Sequence, residues 1–382
     1  MIRSIFLSLM LFASMPLPAT DLFRGKTSGI IEQGGLKTKA LEYWAKKGKA
    51  PPGVTLLPGD GVYVSSLGND ANSGIATSSP VKNINVGVRR AAETGRSNIF
   101  IAKGIYSRVN GGMDAGADGI LVNTGTVNLI GGCETNFVLR IAGSYSELDG
   151  GGSGRIISIA DIHSVSCDGF VIRASMTAAA GGGIYVRGTH SVLLSNIIIS
   201  NNTASTGAGI YLENSTNILI AKVTIQSNRG QSGTGGIAVV TSGNIVLDNI
   251  ICAGNRGTGG GGGGAVILID STPVSIINCS ISNNKWGGPW ECAIELNYAT
   301  TTPQITISGN NLTGDGSGAV IAETGVDVSG HSIINNISIG SLLTRLYREI
   351  SGDIPLGSVL MLNTPGHAFH DAAAASGNSE TP

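Results

Sequence analysis

Along the middle of the chain, a pair of apolar residues separated by one residue returns every 26 to 29 positions. The series runs Phe170/Ile172, Ile197/Ile199, Val223/Ile225, Ile250/Cys252, Cys279/Ile281 and Ile305/Ile307. Two further pairs keep the same period. One opens each unit (Ile157/Ile159, Ile184/Val186, Ile210/Leu212, Ile237/Val239, Val266/Leu268, Ile294/Leu296). The other lies between (Val165/Cys167, Val192/Leu194, Ile218/Ile220, Ile245/Leu247, Val274/Ile276). Alternation of this kind is the signature of a half-buried strand. Strands this short bury too little surface alone, so units must stack and cover each column with the next. The constant offset inside a unit protects that register, because a one-residue slip would turn a column outward. The repeat predicts an all-β fold: a single-stranded parallel β-helix with three short strands per coil of about 27 residues.

Composition agrees and removes alternatives. The 382 residues include 58 Gly without a three-residue period, which excludes collagen, and 41% hydrophobic residues argue against disorder. A net charge of −1 carries no signature of nucleic-acid binding. The five cysteines (Cys133, Cys167, Cys252, Cys279, Cys292) lack C-x-x-C or zinc-site spacing and read as small core residues.

A polar column shares the period. Asn202, Asn228, Asn255, Asn284 and Asn310 each follow the last inward residue of a unit by three positions, and Ser175 holds that place in the first unit. Asn tolerates left-handed backbone, and its amide can bond the coil above, so this column reads as a structural ladder. Directly after it come Thr203, Arg229, Arg256, Lys285 and Asn311. Three cations thus fall on consecutive coils, about 4.8 Å apart. Like charges in such a line are unfavourable unless an anion or water screens them. Trp286 and Trp290 lie beside Lys285, and an apolar ring next to a cation suits a sugar bearing carboxylate or sulfate. The competing reading is a solvated turn with its Trp rings packed beneath the loop.

Two stretches carry a family resemblance. "GGGIYVRGT…IIISNN" and "GAGIYLENS…VTIQSN" resemble the repeats of polymorphic outer-membrane proteins and other right-handed β-helices. The segment 62–107 is similar to the opening module of pectate-lyase-like proteins carrying domain of unknown function 1565. Its matching residues are Tyr63, Val64, Ser65, Gly68, Asn69, Asp70, Ser73, Gly74, Pro80, Ile84, Ala91, Gly95, Gly104 and Tyr106. The resemblance implies a right-handed, pectin-lyase-like coil and no particular chemistry. Pectate lyases hold calcium between clustered carboxylates, with Arg or Lys as proton acceptor. Here the outward columns read Asp168, Ser195, Ala221, Asp248, Ile277 and Tyr185, Tyr211, Ala238, Ile267, Glu295, and neither sets acids on adjacent coils. The Asp-Asp and Gly-His-Gly motifs of polygalacturonase-like hydrolases are also missing from the sequence. Asp114 and Asp118 in "GGMDAGADGI" are the weak metal candidates, competing with a solvated loop; calcium is the one cofactor left open. His163 and His190 fall in one turn column.

The ends complete the expected plan. Residues 1–19 read as a signal peptide, and 20–61 as a basic leader with a short helix around Leu36, Ala40, Leu41 and Trp44. Residues 62–340 form the β-helix, opened by a capping helix over 81–94. Residues 341–382 form a C-terminal cap and tail, with a helix in "SLLTRLYREI" and a strand in "GSVLMLN". No stretch reads as a membrane span, and about forty residues are too few for an autotransporter barrel. The sequence predicts an exported protein, secreted or surface-associated, that binds glycan or another surface without catalysis. An acidic polysaccharide or a cell-surface component is the expected partner. A polysaccharide lyase or hydrolase and a purely structural assembly protein remain the alternatives.

Overall fold

The computed structural model describes residues 54–285 other than 58, 259–264 and 272, and, beyond 285, strand segments as far as Val359–Met361. The expected signal peptide and leader helix, Trp286, Trp290 and Asn310 lie outside the described residues.

Three strand faces stack in parallel. Face one runs Asp118–Val122, Arg155–Ala160, Ile184–Arg187, Ile210–Glu213, Ile237–Val240, Val266–Ile269 and Cys292–Asn297, and continues through Gly318–Ala322 to Tyr347–Glu349. Faces two and three share one sheet, in which Ser164–Arg173, Ser191–Ser200 and Thr216–Gln226 each cross both. On face two, Val165, Val192, Ile218, Ile245 and Val274 are in register; on face three, Ile172, Ile199, Ile225, Cys252 and Ile281 are. All of them are buried, so the predicted pairs are the core.

The corners are single left-handed residues. Three recur from coil to coil, in columns Asp161, Gly188, Asn214, Thr241, Asp270; Gly169, Asn196, Lys222, Asn249, Asn278; and Ala174, Asn201, Ser227, Gly254, Asn283. A single residue at positive φ breaks the strand's alternation and redirects the chain without adding length. L-residues resist that conformation, Asn and Gly least. Of the fifteen corner residues, six are Asn and three are Gly.

The helix α1 (Ile84–Thr94) begins three residues later than expected, because Val81 bridges Val64 instead. Asp70 Oδ1 accepts from the backbone N–H of Lys82 and Asn83 (2.8 Å each), and Asn83 caps the helix by accepting from Asn85 N–H (2.8 Å). Its buried residues Ile84, Gly87, Val88 and Ala91 face the first strands of the stack, Val62–Val64 and Asn98–Ala102. A Cβ on Gly87 would lie 2.7 Å from Val64 Cγ2, so glycine permits that approach.

Three expectations need correction. Val54–Leu56, assigned to the leader, pairs antiparallel with Leu139–Ile141, using a strand edge that would otherwise lack partners. Ile305/Ile307 belongs to face two, beside Val274 and Ile276, rather than face three. The turn before it is three residues longer than in earlier coils, so Asn311 and Leu312 take the third-face places beside Ser280 and Ile281. Finally, Tyr347–Glu349 is a strand against Gly318–Ala322, not part of a helix, and Val359–Met361 pairs with Ser332–Ile334. A local helical period yields there to the unsatisfied edge of the coil beneath, and the stack runs past residue 340.

Two outcomes follow. Thr241 holds a β-branched side chain at φ 46° on the surface, where Asn would be relaxed. Thr241→Asn should raise stability by about 1 kcal/mol in denaturant unfolding. The second concerns buried thiols. Desolvation first of all pushes Cys133, Cys167 and Cys252 up to about 12 and Cys279 up to about 11, from an ordinary 9.0. The stability tied to keeping them neutral is complete below pH 9.0 and is lost as pH climbs toward those values. The melting temperature should fall steadily over that window, and Cys167→Ala should make the fall shallower.

Candidate functional site

The outward chemistry is organised by the buried ladder. Asn202 N–H and Nδ2 both donate to Asn228 Oδ1 (3.0 Å each). Asn228 donates to Asn255 Oδ1 (3.0 and 2.9 Å), and Asn255 to Asn284 Oδ1 (2.9 Å each). The same Nδ2 groups also reach the carbonyls of Ile172, Ile199, Ile225 and Cys252. Ser175 N–H donates to Asn202 Oδ1 (3.0 Å) and begins the column. Asn310, which the sequence count from Ile307 assigns to this column, lies outside the described residues.

Because each Asn points inward, the next residue points out. Thr203, Arg229, Arg256 and Lys285 bridge in parallel on successive coils. Their backbone N–H groups donate to ladder carbonyls: Arg229 to Asn202, Arg256 to Asn228 and Lys285 to Asn255, each at 2.8 Å. The side chains of Arg229, Arg256 and Lys285 are exposed, and none has an ion-pair or hydrogen-bond partner among the described residues. Asn311 does not extend the stripe, since it pairs with Ser280.

Most other charged groups nearby are engaged. Arg140 pairs with Asp168, which also accepts from Ser195 and from Asn196 Nδ2 (2.7 Å). Arg173 holds Glu147 and Asp149, and Arg187 holds Asp161 (3.0 Å). The two metal candidates have protein partners: Asp114 accepts from Asn83 Nδ2 (2.9 Å), and Asp118 pairs with Arg155 (3.3 Å). Among the described residues no three His, Cys, Asp or Glu side chains group as a metal site. His163 and His190 stack at 5.4 Å in one turn column.

The Tyr185 column forms a second outward feature. Tyr185 and Tyr211 stack at 5.7 Å, with the Arg155 guanidinium 4.1 Å above the Tyr185 ring. Burial first, then the Glu213 carboxylate, holds the Tyr185 phenol above its ordinary value. The Tyr185 ring is thus engaged by the Arg155 guanidinium and by the Tyr211 ring, and both tyrosines are half-buried.

The model of the family described as right handed beta helix region matches residues 94–251 and 182–345. The chain belongs to this family. Among solved structures it is similar to the crystal structure of pectate lyase Pel9A, at 14% identity, over 85% of this chain and 82% of that one, with a TM-score of 0.36. The search of curated proteins finds no match.

This β-helix also has a second ladder that sequence reading missed. Thr189 N–H donates to Ser215 Oγ, Ser215 N–H to Ser242 Oγ and Ser242 N–H to Ser271 Oγ, each at 3.1 Å and all buried. The signal was a Thr/Ser residue at the coil period, hidden by how common Ser is elsewhere in the chain.

Ladder and stripe should separate in mutagenesis. Asn255→Ala leaves the Asn228 N–H and Nδ2 without their buried acceptor and should cost about 3 kcal/mol. Arg256→Ser, one residue later and exposed, should stay within about 0.5 kcal/mol of wild type in the same denaturant titration.

Proposed function

We propose that this β-helix is an exported, non-catalytic protein that binds an acidic polysaccharide or similarly anionic cell-surface polymer along Arg229, Arg256 and Lys285. One observation carries the reading: three exposed cations, without a partner among the described residues, sit on consecutive coils, aligned by main-chain hydrogen bonds. Like charges about 4.8 Å apart repel in water, and a polymer with regularly spaced anionic groups relieves that repulsion at several points together. The cations need not be gathered on binding, because the backbone already holds them in line. The pairing of Asp168, Glu147, Asp149, Asp161 and Asp118 with arginines also favours a binding surface over acid–base chemistry. Exposed contacts are screened over about 8 Å at physiological salt, so several must act together.

Binding to polygalacturonate, alginate and sulfated glycosaminoglycans by titration calorimetry tests this. Affinity should fall as salt rises, and Arg229→Ser/Arg256→Ser/Lys285→Ser should lose at least about tenfold in affinity with an unchanged melting curve. Equal binding by a well-folded triple variant would sink the reading. Release of unsaturated or new reducing ends, abolished by removing one carboxylate, would replace it with an enzyme.

A further inference from the structure

The outer side of faces two and three is nearly free of charge over the coils from 191 to 282. On face two, Leu193 and Leu219 are adjacent in register and 37% and 39% exposed, followed by half-buried Val246. On face three, Ile198, Thr224 and Ile251 are adjacent, and Ile251 is 48% exposed. Single exposed apolar residues are ordinary, but Leu193, Leu219 and Val246 form an apolar column on three consecutive coils, and Ile198 and Ile251 flank Thr224 in the column beyond the corner. The ion pairs Arg140–Asp168 and Arg173–Glu147 border the patch on the preceding coil.

On the outer side of faces two and three across these coils, the charged side chains are Lys222 and Asp248; Glu213, Arg229, Arg256 and Asp270 lie on face one or at its corners. Lys222 and Asp248 lie on adjacent coils, since Ala221, just before Lys222, is in register with Asp248. Lys222 is exposed with no partner among the described residues, and Asp248 accepts one hydrogen bond, from Asn278 Nδ2 (3.0 Å), without an ion pair. One positive and one negative charge, a coil apart on an apolar field, make a self-complementary pattern. A two-fold axis between the coils sets Lys222 against the partner's Asp248 and Asp248 against the partner's Lys222, the isologous arrangement of a symmetric dimer.

We propose that this face is the contact between two copies of the chain. The two sheets meet about 10 Å apart, with the Leu193, Leu219 and Val246 side chains between them. Both charge pairs then lie within an apolar surround, where mispairing is costly.

Sedimentation equilibrium on the purified full chain, with Lys222→Asp, Asp248→Lys and the double variant, tests the contact. Asp suits the left-handed backbone at 222, and both sites are on the surface, so folding is preserved and is checked by circular dichroism. The expected results are a dimer for wild type, dissociation constants raised at least about tenfold by each single change, and recovery in the double variant. Leu219→Ser should weaken the dimer while its circular dichroism spectrum stays that of wild type. A wild-type chain that stays monomeric at about 100 μM overturns the proposal. A dimer indifferent to the single changes, or not recovered in the double variant, overturns it too.

Discussion

A buried amide that can be satisfied only by the coils on either side of it is the constraint on which the rest of this structure depends. Asn228 and Asn255 are almost wholly removed from water, and an unbonded amide there would cost several times an ordinary hydrogen bond's net contribution. Each is therefore satisfied by its neighbour in the column, which requires the coils to stack at one register and spacing. Apolar stacking alone would tolerate small slips and rotations, because dispersion and burial are not directional. The ladder supplies direction, and the second column through Ser215, Ser242 and Ser271 does so at another corner.

The same geometry prints the sequence period on the surface. Every outward residue of a coil belongs to a column whose members sit one coil apart, so three similar residues at the coil spacing make a line. Arg229, Arg256 and Lys285 make a charged line; Leu193, Leu219 and Val246 make an apolar one. In a folded domain of mixed topology such lines would require long-range coincidence. Here they need only a repeated residue type at a repeated place.

This explains which features were legible in the sequence. The core columns could be read because β-branched and Leu pairs recur at a fixed offset, and the ladder and stripe because Asn followed by Arg or Lys is uncommon. The Ser column was lost among ordinary serines, although Ser215 and Ser242 are as deeply placed as the Asn residues. Ile305/Ile307 was misplaced because its offset of eleven residues from Ile294/Leu296 lies between the eight and thirteen of earlier coils. Strand pairing resolves that ambiguity, since Val274 and Ser275 present the edge to which those residues bond. Tyr347–Glu349 failed for a related reason: local periodicity carries no information about a free edge waiting in space. The ion pairs of Arg140 with Asp168 and Arg173 with Glu147 join residues 26 to 28 positions apart, and their separation says nothing until the coil exists.

A stacked solenoid also changes what binding can do. Its stability is close to a sum of coil terms and interface terms between neighbours. A small ligand on one coil adds to one coil term. A polymer lying along Arg229, Arg256 and Lys285 touches three coils and strengthens the two interfaces between them, because separating those coils would break the contacts. By linkage, what binds only the stacked state stabilises it. The reinforced interfaces are those that the amides of Asn228, Asn255 and Asn284 already align. The ladder that displays the cations is therefore the element that their ligand would tighten, and the proposed recognition would share one column with fold stability.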